Sequence, residues 1–247
     1  MAQEIFERYE KKYMLPIEAY TRLVPELMKH MTADRYGKYT ISNIYFDTDD
    51  FRLIRESLEK PVYKEKLRLR LYGDPGEEKT VFAEIKKKYK GVVYKRRIPL
   101  TLRDARRYLV YGIRPDLDSR RFTERQIFRE IDYMKNRYGL KPAVFIAYDR
   151  IAFAGTSDPE LRVTFDNNIR CRSTELDLSR GKQGTQLLAP GTILMEVKIP
   201  GAMPLWMAEL FEEITRYEVS FSKYGTYYRM LMEEKKEMKE GGRRHAA

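Results

Sequence analysis

Apolar and polar residues alternate along much of this chain, and the alternation is broken at intervals by Gly, Pro, Asp or Asn. Period-two runs with such boundaries predict strands over residues 5–15, 40–46, 63–72, 80–89, 92–99, 143–152, 161–171 and 193–199. Helical spacing of apolar positions appears over 16–31, 102–110, 123–138, 204–217 and 223–239. Pro16 suits a first helical position, Pro25 is expected to kink or restart the first helix, and Gly139 stops the third. Asp74-Pro75-Gly76 and Lys90-Gly91 separate consecutive strands by turn-forming residues, so three strands read as a meander. Few strands are followed by a helix, which argues against a doubly wound parallel sheet and for an α+β fold with a mainly antiparallel sheet of about eight strands. No low-complexity linker interrupts the chain, so residues 1–240 read as one domain and 241–247 as a disordered tail.

Composition narrows the chemistry. With 247 residues, 43% hydrophobic and 13% aromatic, the chain can bury a core without staples. Lys and Arg number 48 against 37 Asp and Glu, a formal charge of +11, so its field attracts polyanions. The lone Cys171 excludes an intrachain disulfide and reads as a small strand filler. Nothing near Met1 resembles a signal peptide and no apolar run is long enough to span a membrane, so a cytoplasmic protein is expected, with a peripheral membrane partner compatible. The two histidines are His30, expected on a helix surface, and His245 in the tail, which leaves nucleophilic triads and zinc sites without ligands. A metal would be a hard cation on carboxylate oxygens, Mg2+ or Mn2+.

Strand periodicity then sorts the charges by face. Lys64, Lys66, Arg68 and Arg70 project together, while Glu65, Leu67, Leu69 and Leu71 project the other way. Phe82, Glu84, Lys86 and Lys88 share a face of the next strand, and Val93, Lys95 and Arg97 a face of the third. On a lone sheet this could be a solvated face. However, Glu10-x-Lys12, Glu84-x-Lys86 and Glu196-x-Lys198 repeat within strands, the last inside the apolar run from Ile193 to Ile199, and Arg150 and Arg162 sit in similarly apolar settings. Buried like charges are costly without a compensating anion. A closed barrel with a cationic interior, jacketed outside by helices over Leu67, Leu69, Leu71, Ile85 and Val197, would satisfy the pattern.

In their order and spacing these residues resemble the VTC domain, the polyphosphate polymerase module of the vacuolar transporter chaperone complex, within the CYTH-like triphosphate tunnel metalloenzyme superfamily. The resemblance rests on Phe6-x-Arg8-x-Glu10-x-Lys12-Tyr13, Ile44-Tyr45-Phe46-Asp47-Thr48, Leu67-Arg68-Leu69-Arg70-x-Tyr72-Gly73, Glu84-Ile85-Lys86, Tyr148-x-Arg150-x-Ala152-Phe153, Arg162-Val163-Thr164-x-Asp166, Met195-Glu196-Val197-Lys198 and Phe221-Ser222-Lys223-Tyr224. It implies a closed antiparallel tunnel barrel that transfers the terminal phosphoryl group of ATP to orthophosphate or polyphosphate with a divalent metal. It assigns catalytic phosphate contacts to Lys12, Arg68, Arg70, Lys86, Arg150 and Lys223, substrate binding to Arg162 and Lys198 with Lys95 or Arg97, and metal binding to Glu196.

Ser220 stands where the polymerase has a lysine, a departure that bears on the polymerase assignment more than on the phosphate tunnel. The phosphate-sensing helical domain and membrane segment of the eukaryotic complex are not expected in this chain. Hydrolysis of inorganic or nucleoside triphosphates in the same tunnel is the second reading, for which Glu10, Glu84 and Glu196 could serve. A non-catalytic polyphosphate or RNA binder is the third; the absence of RNP-type segments makes nucleic acid the weaker partner.

Overall fold

A computed structural model describes residues 8–244. The expected first strand and Phe6 motif therefore begin partly outside the described residues, as does His245. The strands are β1 (Arg8–Pro16), β2 (Met31–Ala33), β3 (Tyr39–Asp47), β4 (Tyr63–Tyr72), β5 (Thr80–Tyr89), β6 (Val92–Thr101), β7 (Lys141–Gly155), β8 (Arg162–Arg172), β9 (Thr185–Gln186) and β10 (Thr192–Pro200). The helices are α1 (Ile17–Leu27), α2 (Arg52–Leu58), α3 (Leu102–Leu109), α4 (Phe122–Tyr138), α5 (Leu205–Glu212) and α6 (Lys223–Arg244). Hydrogen-bonded neighbours follow the order β1-β10-β8-β7-β3-β4-β5-β6, with β2 on β7 and β9 on β8. The class is thus α+β with a large antiparallel sheet. Its path has two ends among the described residues, so closure into a barrel is not part of the observed topology.

Two compact units emerge from the contacts. The first comprises residues 8–40, 148–169 and 188–221, and its core is Tyr13 and Leu15 of β1, Val163 and Phe165 of β8, and alternate residues of β10 from Ile193 to Ile199. Helices α1 and α5 cover this face through Leu23, Leu27, Met207 and Phe211. Pro25 does not restart α1. The helix runs through it and ends at Leu27, within a turn, since a helical proline removes one donor and crowds the preceding turn.

The second unit comprises residues 41–147, 170–187 and 222–244. Its β4-β5-β6 meander forms as expected, with Lys90 and Gly91 in left-handed conformations at the second turn (φ +46° and +88°). Leu67, Leu69, Leu71, Val81 and Ile85 pack against Ala105 and Tyr108 of α3 and Phe128 and Ile131 of α4. The apolar strand faces are therefore jacketed by helices in each unit. Among the described residues no helix is long and apolar enough to cross a membrane. Cys171 is buried in β8, and its burial, with Glu234 adding, raises the thiol to about 11, so it is an inert filler.

Helix α2 has no counterpart in the sequence reading. It is short, and its start is fixed from a distance: buried Asp47 accepts hydrogen bonds from the N–H groups of Leu53 (2.8 Å) and Ile54 (3.1 Å), while Phe51 takes a left-handed conformation. The same carboxylate accepts from the Tyr224 hydroxyl at 2.7 Å, which anchors the first turn of α6 and hence Lys223. Replacing Asp47 by Ala removes the acceptor of three N–H groups, those of Thr48, Leu53 and Ile54, and of a phenol, and chemical denaturation is expected to show a loss of about 3 kcal/mol. Asp47→Asn keeps one acceptor and should lose less. At the other end α6 continues through Arg244, so residues 241–244 are helical where a disordered tail was expected.

Candidate anion-binding faces

In the second unit the register places Arg68 opposite Tyr45 on β3 and Glu84 on β5, and Arg70 opposite Asn43 and Phe82. Arg68 donates to Glu84 Oε2 from Nε at 2.7 Å and lies 2.6 Å from it at Nη2, while Nη1 reaches the Tyr45 hydroxyl at 3.2 Å. Arg70, only 7% exposed, donates from Nε to Asn43 Oδ1 (3.0 Å) and from Nη1 to the Tyr72 hydroxyl (3.3 Å), and its Nε is 3.7 Å from Glu84. The Asn43 amide is oriented by its own bond to the Ile146 carbonyl, 3.1 Å. Lys95 approaches Glu84 Oε1 to 3.2 Å, without hydrogen-bond alignment. Three cations thus converge on one carboxylate that is 2% exposed.

The electrostatics of this face are strongly positive. Burial alone would raise the Glu84 carboxyl, yet Arg68, Arg70 and Lys95 bring it down to about 2. Burial would likewise raise the Tyr45 phenol, but Arg68, Arg70 and Lys66 hold it below its ordinary value, and Arg70 does the same to Tyr72. Lys95 is lowered, by burial first and then by Arg70 and Arg68 against the pull of Glu84. An anion inserted here meets a surplus of positive charge, of which the Arg70 guanidinium is already buried.

In the first unit, Lys12 on β1 lies opposite Glu196 on β10. Its ammonium is 3.3 Å from Glu10, 3.7 Å from Glu196 and donates to the Phe221 carbonyl at 3.0 Å. Arg150 on β7 grips the fully buried Asp166 of β8 in a two-pronged fork, Nε at 2.6 Å and Nη2 at 2.7 Å, and lies 3.6 Å from Glu196. Burial opposes the guanidinium charge, but Tyr148, Asp166 and Glu196 keep its pKa well above the ordinary value.

The sequence-assigned residues therefore fall into two clusters. Arg68, Arg70 and Lys95 gather around Glu84, and Lys12, Arg150 and Glu196 around one another. Lys86 is exposed, flanked across the ladder by Lys66 and Lys95, and it is Lys95 rather than Lys86 that pairs with Glu84. Arg97 is exposed and stacks over Phe82 at 4.8 Å. Lys198 and Arg162 are exposed and face each other in the β10-β8 register. Lys223 is buried at the start of α6. Asp166, Tyr45, Asn43 and the Tyr72 hydroxyl had no assigned role. Their signal was present as period two, since Asn43 and Tyr45 share a strand face.

Among the described residues no three carboxylate, histidine or cysteine side chains assemble into a metal cage. The donor set nevertheless fits a hard divalent cation shared with phosphate oxygens, which needs only one or two protein carboxylates. Glu196, with its two cationic neighbours at 3.6 and 3.7 Å, fits that part better than Asp166, whose oxygens are locked at 2.6 and 2.7 Å.

The VTC domain family matches residues 7–232 of this chain. The vacuolar transporter chaperone complex subunit 4 of Trypanosoma cruzi is 24% identical over 92% of this chain and 34% of its own length, and that of Trypanosoma brucei brucei gives the same figures. The chain spans about a third of the length of these curated relatives. Two solved structures share the fold. A “putative adenylate cyclase” from Bacillus halodurans matches with a TM-score of 0.52 and 16% identity over 86% of this chain and 92% of the other. A “putative adenylyl cyclase” from Hippeastrum, described as having a dominant triphosphatase activity, matches with 0.53 and 14% over 90% and 96%.

Proposed function

This chain belongs to the VTC domain family, and from that premise we propose that it is a phosphotransferase. It moves the terminal phosphoryl group of ATP onto orthophosphate or a polyphosphate end in the presence of Mn2+ or Mg2+, on the cytoplasmic side of the cell, with residues 1–240 acting as one module. The observation that supports this most directly is the convergence of Arg68, Arg70 and Lys95 on the single buried carboxylate of Glu84, a positive surplus that also holds the buried Tyr45 phenol below its ordinary value. Closure of the sheet into the tunnel that the family resemblance implies is part of the proposal.

In this reading Arg68, Arg70 and Arg150 present guanidinium forks to non-bridging phosphate oxygens, and Glu84, Asn43 and Asp166 orient those forks from behind. Lys12, Lys86, Lys95, Lys198 and Lys223, with Arg97 and Arg162, neutralise the rest of the phosphate chain. The acceptor oxygen is already anionic, so the attack on the γ-phosphorus needs alignment rather than a general base. A P–O bond forms to the acceptor, the bond to the β-phosphate bridging oxygen breaks, and ADP leaves with that electron pair. A divalent cation held by Glu196 and phosphate oxygens would offset the charge on the leaving group.

Ser220, uncharged and exposed where the polymerase carries lysine, favours the second reading, in which water replaces the phosphate acceptor. Incubation with ATP and manganese separates the two. Long polymer is the expected product; orthophosphate alone would establish a triphosphatase and remove the polymerase assignment. Glu196→Gln should abolish metal-dependent turnover while the melting temperature stays near that of the parent. Full turnover by this variant at limiting metal would take Glu196 out of the metal role.

A further inference from the structure

We propose that the far end of the β4-β5-β6 meander is a docking surface for an anionic lipid bilayer. At this end Tyr63, Tyr89 and Val92 stand opposite one another in register, and the Lys90-Gly91 turn closes the hairpin. The Lys90 N–H donates to the Val62 carbonyl at 3.0 Å, so the segment before β4 is tied to the tip and both present one rigid surface. Val62, Tyr63, Tyr89, Val92, Val93 and Tyr94 are each between 44% and 63% exposed. Farther along the same strand Ile98 and Leu100 are buried under the helices, so the exposure is confined to the tip.

Charge complementarity identifies the occupant. Lys64, Lys86 and Lys88 project with Val93 from one face of the hairpin, Tyr63, Tyr89, Val92 and Tyr94 project from the other, and Lys60 and Lys90 flank the tip, so cationic and apolar side chains meet where the hairpin ends. The carboxylate within residues 60–66 and 86–96 is Glu65, which is buried and accepts from the Tyr63 and Tyr138 hydroxyls at 2.7 and 2.9 Å. The lysines crowd one another: burial, then Lys88, Lys86 and Lys60, lowers the Lys64 ammonium. A negatively charged surface relieves that repulsion. The apolar members select lipid over nucleic acid. Valine has no π-face to stack on a base, whereas its methyl groups gain free energy on entering the interface between headgroups and acyl chains. Tyrosine suits the same depth, and lysine engages phosphatidylserine headgroups as a point charge. The inference does not depend on which phosphoryl acceptor the chain uses.

Co-sedimentation of the full chain with vesicles tests it. Binding is expected to phosphatidylcholine vesicles containing phosphatidylserine and to be much weaker to phosphatidylcholine alone. Val92→Ser with Val93→Ser should weaken partitioning roughly tenfold at unchanged charge, and Lys60→Glu with Lys88→Glu by at least roughly tenfold. Circular dichroism and melting curves matching the parent would show that both variants fold; for a variant that does not, Val92→Thr alone is read in its place. Failure to pellet with phosphatidylserine vesicles overturns the proposal, as does binding indifferent to the valine changes. Tighter binding of a single-stranded RNA through the same residues would also overturn it and mark a nucleic-acid surface.

Discussion

Glu84→Gln is expected to destabilise the anion-free protein by about 3 kcal/mol at neutral pH, since it removes the one buried negative charge shared by Arg68, Arg70 and Lys95 and leaves three neighbouring cations to repel one another. Gln preserves the volume and can still accept from Arg68, so the loss reports charge rather than packing. The pH dependence follows from the folded carboxyl lying at about 2 against an ordinary 4.5. A depressed carboxyl contributes fully above its unfolded value, and the contribution declines as pH falls through 4.5 toward 2. Parent and variant should therefore differ most at pH 7 and converge near pH 2 in chemical denaturation. Triphosphate offers a second readout. A ligand bound only by the native state stabilises it by about 2.7 kcal/mol at a hundred times its dissociation constant, and the variant, with less competing negative charge, should gain at least as much as the parent. Equal stability of the two proteins at pH 7 would mean that the three cations are solvated and that no desolvated positive face exists.

The strand faces were legible because period-two alternation is a local property. Lys64 to Leu71 sorts into a charged and an apolar face from the sequence alone, and Leu67, Leu69 and Leu71 do lie under helices. The meander was legible for the same reason, since Gly91 offers a left-handed turn position by its own residue type, and Lys90 joins it in that region. Helix α2 was not, because its start depends on Asp47 accepting hydrogen bonds from six and seven residues away in the chain. Strands β2 and β9, of three and two residues, are too short to show a period and exist through pairing with β7 and β8. Glu65 shares a face with three leucines, an apparent contradiction in the sequence that two tyrosine hydroxyls resolve.

Partners within the candidate site were less legible than its membership. The Glu-x-Lys spacing suggests that Glu84 balances Lys86, its neighbour on the same strand face. In the fold Glu84 engages Arg68 directly across the β4-β5 ladder and Arg70 and Lys95 from diagonal positions on the two neighbouring strands instead. The open choice between Lys95 and Arg97 has the same origin: both share a face of β6, and packing sends one to Glu84 and the other over Phe82. Asp166 was visible as a motif member, but its fork with Arg150 depends on how β8 and β7 pair, information that no local pattern carries.

Arg150→Met should separate the structural duty of this arginine from its proposed duty to phosphate. The single change leaves Asp166, fully buried, without the two hydrogen bonds that compensate its charge, and should cost about 3–5 kcal/mol of stability. Adding Asp166→Asn removes the stranded charge, and denaturation of the double variant is expected to recover most of the loss, a coupling of at least about 2 kcal/mol. Phosphoryl transfer should behave differently. If Arg150 also contacts the phosphate chain, the double variant folds yet remains at least about a hundredfold slower with ATP, because a neutral side chain supplies no charge to the transition state. Arg150→Lys, which keeps one charge but cannot form the fork, should fall between parent and double variant in both stability and rate. The decisive comparison is the ratio of the two recoveries. Turnover restored in step with stability by Asp166→Asn would reduce Arg150 to a counter-ion of the core and remove it from the phosphate-binding face.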